Sequence, residues 1–398
     1  MPRIALYSHD TMGLGHIRRN LHLAQAIAAT QADTAVLLVS GTHLGGAFRM
    51  PPGVDCLTLP GLIKQGHTGV YRSRHLPVGL ADLVALRART VRAALESFDP
   101  DVLVVDNVPL GALGEMEPAL ASLRVAGRTR VALGLRDVLD EPHVVRREWT
   151  HAGHHEAIAK YFDQVWVYGD PAVYDVAREC RFPEATRSRV RYVGYLDRRV
   201  AAEPADLALL AGVRDVFTLC MAGGGQDGGA VARAFAGAIF PRGEDGVLLT
   251  GPFMPEGVRD EVRALARDRR DLHVIDFTDN PAALVARASR VVGMAGYNSV
   301  CEIVAYRKPA LLVPREHPRR EQAIRAERFR ALGLVDVLPT GQLNSDALSA
   351  WVMGSTPVPL GPWPSLTATD QVTRLVGELL ARTTPSAWLS CERHMHAH

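Results

Sequence analysis

Val291-Val292-Gly293-Met294-Ala295-Gly296-Tyr297-Asn298-Ser299-Val300-Cys301-Glu302-Ile303 reads as a buried strand that ends in a small-residue turn and opens a helix. The apolar run before Gly293 suits a strand covered on both faces, as in a parallel sheet. Ala295 and Gly296 leave room for the backbone to turn and to approach a ligand. The helix starts near Asn298, which puts Glu302 about one turn in. A carboxylate there can accept hydrogen bonds from both hydroxyls of a ribose whose phosphates rest on the turn. The plainer alternative is a first-turn Glu favoured by the helix dipole.

The same strand–turn–helix unit recurs outward from this point. Met221-Ala222-Gly223-Gly224-Gly225-Gln226-Asp227-Gly228-Gly229 follows the strand Val216–Met221, and Ser8-His9-Asp10-Thr11-Met12-Gly13-Leu14-Gly15-His16 follows the strand Ile4–Ser8. Further strands are predicted at Ala35–Val39, Val102–Asp106, Arg130–Leu133, Gln164–Val167, Gly246–Thr250, Leu272–Ile275, Arg290–Val292 and Ala310–Val313. Helix-period stretches lie between them, as with Ile17, Leu21, Ala24 and Ala28. This alternation implies βαβ units. The chain is therefore expected to be α/β, with two Rossmann-like domains facing across a cleft. Ligands of such folds bind at the carboxyl ends of the strands. The pattern pauses near 199–213, which sets the expected division: a domain over 1–198, a linker over 199–213 and a second domain over 214–365. A C-terminal helix at about 366–382 is expected to pack back on the first domain, followed by a tail over 383–398.

The 398 residues give room for two cores, and 47% hydrophobic with 22% charged residues fits a globular chain. A net charge of +2 and the lack of a basic, aromatic-studded tract leave nucleic acid without a footprint. The five cysteines, Cys56, Cys180, Cys220, Cys301 and Cys391, show no C-x-x-C spacing. They fit a reducing cytosol. No signal peptide or membrane-spanning segment is expected, so the expected location is cytoplasmic, with at most peripheral membrane contact.

Gly223, Gly224 and Gly225, with Gln226 beside them, can cradle a diphosphate at the N-terminus of the next helix. Gly13 and Gly15 form a similar turn, and His16 stands at the first helical turn beside it. A His there can take a proton from an acceptor hydroxyl. Asp137, closing the strand of Gly134-Leu135-Arg136-Asp137, is a second candidate base, and Asp106-Asn107 a third; either Asp could equally cap a helix. Arg315, after the strand Ala310–Val313, suits a sugar phosphate, and Glu321 and Gln322 follow it. The helical pair His151 and His155, with His154, could bind a metal, yet no Cys or carboxylate pattern accompanies it. Asp99-Pro100-Asp101 precedes a buried strand and reads as a loop. No metal and no cofactor are expected; phosphate charge is to be met by helix dipoles and arginines.

The order of Gly-rich turn, Phe277-Thr278-Asp279, Gly-Met-Ala-Gly-Tyr-Asn-Ser-Val-Cys-Glu, then Pro-Ala-Leu-Leu-Val-Pro-Arg with Glu321-Gln322 resembles the C-terminal domain of the MurG-like glycosyltransferase family 28. Met-Gly-Leu-Gly-His resembles that family's first glycine loop. Over about residues 3–380 the chain looks closer still to bacterial proteins known as predicted glycosyltransferases, through Tyr7–His16, Gly134–Val138 and Val167–Gly169. The resemblance implies the GT-B fold and an inverting, metal-independent transfer of an N-acetylhexosamine or hexose from a UDP-sugar to a hydroxyl or amine acceptor. The acceptor could be a lipid carrier, a saccharide or a small natural product. It implies that Phe277 and Thr278 read the base, that Ala295, Gly296, Tyr297 and Asn298 approach the diphosphate, and that Glu302 holds the ribose. Glu321 and Gln322 would touch the sugar, while Arg315 would face the leaving diphosphate. The family's Ser-Gly-Ala stands here as Ala295-Gly296-Tyr297, which puts a large ring at a small-residue position. The same architecture also serves UDP-sugar 2-epimerases and non-catalytic nucleotide-sugar binders, the two rival readings.

Overall fold

A computed structural model describes residues 1–9, 15–30, 33–42, 50–65, 70–199, 203–354 and 361–383. The first sheet holds β1 (Arg3–Ser8), β2 (Ala35–Ser40), β3 (Val54–Thr58), β6 (Val102–Asp106), β7 (Arg130–Arg136), β8 (Gln164–Tyr168) and β9 (Val190–Tyr192). Their order is β3-β2-β1-β6-β7-β8-β9. A separate antiparallel hairpin, β4 (Leu62–Gln65) and β5 (Val70–Ser73), lies between β3 and β6 in sequence. The second sheet holds β10 (Phe217–Met221), β11 (Asp245–Leu249), β12 (Leu272–Ile275), β13 (Arg290–Gly293), β14 (Ala310–Leu312) and β15 (Asp336–Val337). It runs β12-β11-β10-β13-β14-β15. Both sheets are parallel throughout.

Each order reverses once. In the first sheet the chain leaves β1 for β2 on one side and returns to β6 on the other; in the second it does the same about β10, with β11 and β13. At such a switch point the connections diverge and leave a crevice beyond the strand ends. The carboxyl ends of β1 and β6 lie at one crevice, and those of β10 and β13 at the other.

The central strands are buried along their whole length: β6, β8, β10 and β11 have no exposed residue. All ten expected strands are present. Those the sequence did not disclose, β3, β4, β5, β9 and β15, are short edge or hairpin strands; Val54–Thr58 alternates in burial and carries Asp55 outward. The segment Pro204–Ala208, inside the expected linker, is a short helix whose Asp206 accepts a hydrogen bond from Asn280 at 2.8 Å.

The two halves share one hydrophobic cluster. Tyr195 stacks on Tyr297 with centroids 6.1 Å apart and meets Phe329 edge-on at 5.7 Å. The last helix, Ala368–Thr383, packs on helix Gly15–Thr30 and contributes Val372, Leu375, Val376 and Leu379 to that cluster. A row of ion pairs crosses the same boundary. Arg319 reaches Asp140 at 3.0 Å and Glu148 at 2.9 Å, Arg320 reaches Glu141 at 2.9 Å, and Arg328 reaches Glu179 at 3.0 Å. The pairs with Glu148, Glu141 and Glu179 lie toward the surface and contribute little each, whereas Asp140 is buried. Arg325 and Asp137 are different: both are 1% exposed, and they meet at 2.7 Å.

Candidate active site

The first crevice builds a proton acceptor. Helix Gly15–Thr30 follows β1 and starts with Gly15 and His16, and Asp106 ends β6, the neighbour of β1. The topology alone therefore brings His16 beside Asp106, with Nδ1 2.6 Å from Oδ2. Arg19, one turn further along the helix, grips the same carboxylate at 2.6 Å. Arg19 Nη2 also lies 3.0 Å from His16 Nδ1, but both are donors to Asp106 and neither can accept from the other. Nδ1–H is thus fixed on Asp106, and Nε2 is left as the imidazole's acceptor. Burial pushes the Asp106 carboxyl up, but the charges of Arg19 and His16 and their hydrogen bonds outweigh it and hold it well below the usual carboxylate range. Arg19 lies between two rings, 5.2 Å from the centroid of Tyr168 and 5.6 Å from that of Tyr297.

The second crevice is built from glycine turns. Gly223 and Gly225 adopt positive φ of 64° and 92° after β10. A Cβ on Gly225 would stand 2.5 Å from the Thr250 carbonyl, so only glycine fits that turn. After β13, Ala295 takes φ 53°, and the helix Tyr297–Tyr306 starts behind Gly296. Asn298 Nδ2 donates to the Gly15 carbonyl at 3.2 Å. That bond ties the starts of two helices together across the cleft, and each start offers free N–H groups.

Between the crevices lies a cavity of about 210 Å³. His16, Gly223, Gly224, Phe277, Thr278 and Glu302 are among the residues that line it, together with Arg18, Arg19, Arg136, Gly296, Tyr297 and Asn298. Phe277 is 39% exposed, an apolar face open to a planar ring. Glu302 is buried and pairs with Arg18 at 3.0 Å. A smaller hollow adjoins it, lined by Gly225, Gln226, Asp227, Arg315 and Gln322 and sharing Gly223, Gly224 and Gly296. There Arg315 binds Asp227 at 2.7 Å and pairs with Glu321, whose Oε2 is buried without a partner. Gln322 Oε1 accepts from the Arg315 amide at 3.1 Å.

Most of the expected site residues thus converge on two joined hollows. Gly13 lies outside the described residues. Asp137 departs from its expected place: it is fully buried, accepts from Arg325 at 2.7 to 3.1 Å and from the Tyr195 hydroxyl at 2.9 Å, and does not line the cavity. Its lone pairs are spent joining the two halves. Ala295 is fully buried too, and its carbonyl accepts from Arg325. The Tyr297 ring does not block the turn; it is 5% exposed and packs against Tyr195 and Arg19. His154 and His155 pack on Trp149, and His155 bonds Thr186. Among the described residues no group of three or more potential ligands is placed to hold a metal ion. Arg19 and Arg136 were not singled out from the sequence. The signal that could have found them is position: Arg136 ends a strand, and Arg19 is one turn from His16.

Residues 247–353 match the glycosyltransferase family 28 C-terminal domain. A UDP-N-acetylglucosamine–N-acetylmuramyl-(pentapeptide) pyrophosphoryl-undecaprenol N-acetylglucosamine transferase of Erwinia tasmaniensis is 31% identical over 157 residues, 39% of this chain and 44% of the relative. The chain thus spans less than half the length of that relative. The transferase of the same name from Acidothermus cellulolyticus is 24% identical over 355 residues, 85% of each chain. Among solved structures, the calicheamicin glycosyltransferase CalG4 superposes with TM-score 0.56 at 16% identity over 97% of this chain and 96% of that one. UDP-GlcNAc 2-epimerase from Methanocaldococcus jannaschii superposes with TM-score 0.59 at 11% identity over 95% of this chain and 100% of its own. The fold is GT-B.

Proposed function

We propose that this GT-B chain, with its family 28 C-terminal domain, transfers a sugar from a UDP-sugar to a hydroxyl or amine acceptor with inversion. The relatives' names favour N-acetylglucosamine as the sugar. The observation that carries the reading is the pairing of a His16–Asp106 dyad at one switch point with a glycine cradle at the other, across a single cavity. Phe277 would lie on the uracil, Glu302 would hold the ribose, and the Gly223–Gly225 and Gly296–Asn298 turns would take the diphosphate. The unpartnered Oε2 of Glu321 would accept from a sugar hydroxyl. The acceptor proton passes to His16 Nε2, the acceptor atom bonds to the anomeric carbon, and the bond from that carbon to the phosphate oxygen breaks. Asp106 stabilises the imidazolium as it forms. Closure against water limits loss of donor to hydrolysis. Among the described residues no helix is long and apolar enough to cross a membrane.

The test is thermal stabilisation by UDP, dTDP, GDP and their sugars, in wild type and Glu302→Ala. Ligand that binds only the native state raises the melting temperature. UDP and UDP-N-acetylglucosamine should stabilise the wild type, and loss of the ribose hydrogen bonds should weaken UDP by about tenfold or more. A Glu302→Ala shift equal to that of wild type would overturn the donor site. Incubation of the donor alone separates the epimerase reading: a 2-epimer product without acceptor would replace transfer.

A further inference from the structure

We propose that Arg136 receives the donor's diphosphate from across the cleft and supplies the counter-charge for the departing nucleotide, the role the sequence had given to Arg315. The proposal rests on the donor reading above.

Three arginines line the cavity: Arg18, Arg19 and Arg136. Arg18 is matched by Glu302, and Arg19 by Asp106. Arg315 belongs to the adjoining hollow and is matched twice, by Asp227 and Glu321. Arg136 alone of the three has no ion pair or hydrogen bond among the described residues, and its Nε is buried without a partner. It stands at the last position of β7, where the strand opens onto the cavity shared with Gly223, Gly224 and Gly296. A half-buried guanidinium whose Nε lacks a partner is incompletely satisfied, and its natural complement is an anion. Burial weakens its hold on the proton, Glu321 opposes that, and Arg19 and Arg325 add to it. An anion beside the guanidinium would relieve that repulsion. Arg198, buried and likewise without an ion pair or hydrogen bond among the described residues, faces a separate hollow with His22 and Asp279 and does not line the glycine cavity.

The chemistry calls for such a group. When the bond between the anomeric carbon and the phosphate oxygen breaks, its electron pair stays on that oxygen, and the diphosphate gains a negative charge. Glycine N–H groups offer dipoles to it, whereas a guanidinium offers charge and a planar fork that matches two phosphate oxygens. Because Arg136 comes from the first sheet and the glycine turns from the second, the diphosphate would be held from both sides.

Titration of UDP, UMP and uridine into wild type, Arg136→Met, Arg136→Lys and Arg315→Met tests this. UDP affinity should fall by about tenfold or more in Arg136→Met, a charge-assisted pair being lost. Uridine affinity should stay as in wild type, which also shows that the variant is folded. Arg136→Lys should recover part of the loss, and Arg315→Met should lose less than Arg136→Met. Should Arg136→Met fail to fold, Arg136→Gln takes its place with the same expectation. A wild type that binds UDP and an Arg136→Met that binds it equally well overturn the inference and leave the donor reading intact. The same holds if UDP binding is unchanged and only the acceptor KM rises, which would put the anion on the acceptor. A wild type that binds no UDP overturns both.

Discussion

Asp106→Asn isolates the dyad, since it keeps the size of the side chain and removes its charge. In the native site, Nδ1–H of His16 meets Asp106 at 2.6 Å and Arg19 meets the same group. An amide can turn its NH2 toward Nδ1, and the imidazole then carries its proton on Nε2, where it cannot act as a base. General base catalysis contributes about 10²–10⁴-fold, or roughly 3–5 kcal/mol of barrier, and most of it should go. Asp106 and Arg19 are each 1% exposed, so the variant also leaves a buried cation unpaired and should lose about 3–5 kcal/mol of stability. UDP titration reports whether the donor site survives, and steady-state UDP release in the presence of acceptor gives kcat. The double variant His16→Ala/Asp106→Asn should be no slower than His16→Ala, because the two act as a unit. A folded Asp106→Asn within about threefold of wild type in kcat, or losses that multiply in the double variant, would refute the dyad.

Four more expectations follow from the structure. Arg325→Met strands the buried Asp137 and should cost about 3–5 kcal/mol in calorimetric unfolding, with part recovered when Asp137 is made Leu as well; an unchanged unfolding curve would deny the pair its role. Gly225→Ala sets a Cβ 2.5 Å from the Thr250 oxygen at φ +92° and should cost at least about 1–3 kcal/mol by denaturant titration. Gly257 has nothing within 4 Å, so Gly257→Ala should be neutral or stabilising by up to about 1 kcal/mol. Asp106 has a depressed pKa in the folded chain, so its contribution is complete above the ordinary carboxylate pKa of about 4 and is lost as pH falls below it. Asp106→Asn and wild type should therefore draw together in stability progressively as pH falls from about 4 toward the depressed folded pKa, and a constant gap would contradict that sign.

The architecture was legible because central parallel strands bury both faces and write continuous apolar runs, as in Val102–Asp106 and Phe217–Met221. Edge strands write no such run, which hid Val54–Thr58 and Asp336–Val337. The glycine turns were legible because the backbone there excludes a Cβ, and Glu302 because it falls at a fixed offset into a helix. Partnership was not legible. Asp106 and Asp137 both end a strand and read alike. Only the fold shows that β6 neighbours β1 and gives Asp106 to His16, while Arg325, 188 positions away, claims Asp137.

The guanidinium of Arg19, set near Tyr168 of the first sheet and Tyr297 of a helix in the second half, couples the two crevices. Tyr297 opens the helix behind the turn proposed for the diphosphate, and Arg19 holds the carboxylate that orients His16. One buried cation thus serves both crevices, so a change at Tyr297 or Tyr168 should be felt at His16 as well as at the turn, and neither crevice can be altered in isolation from the other.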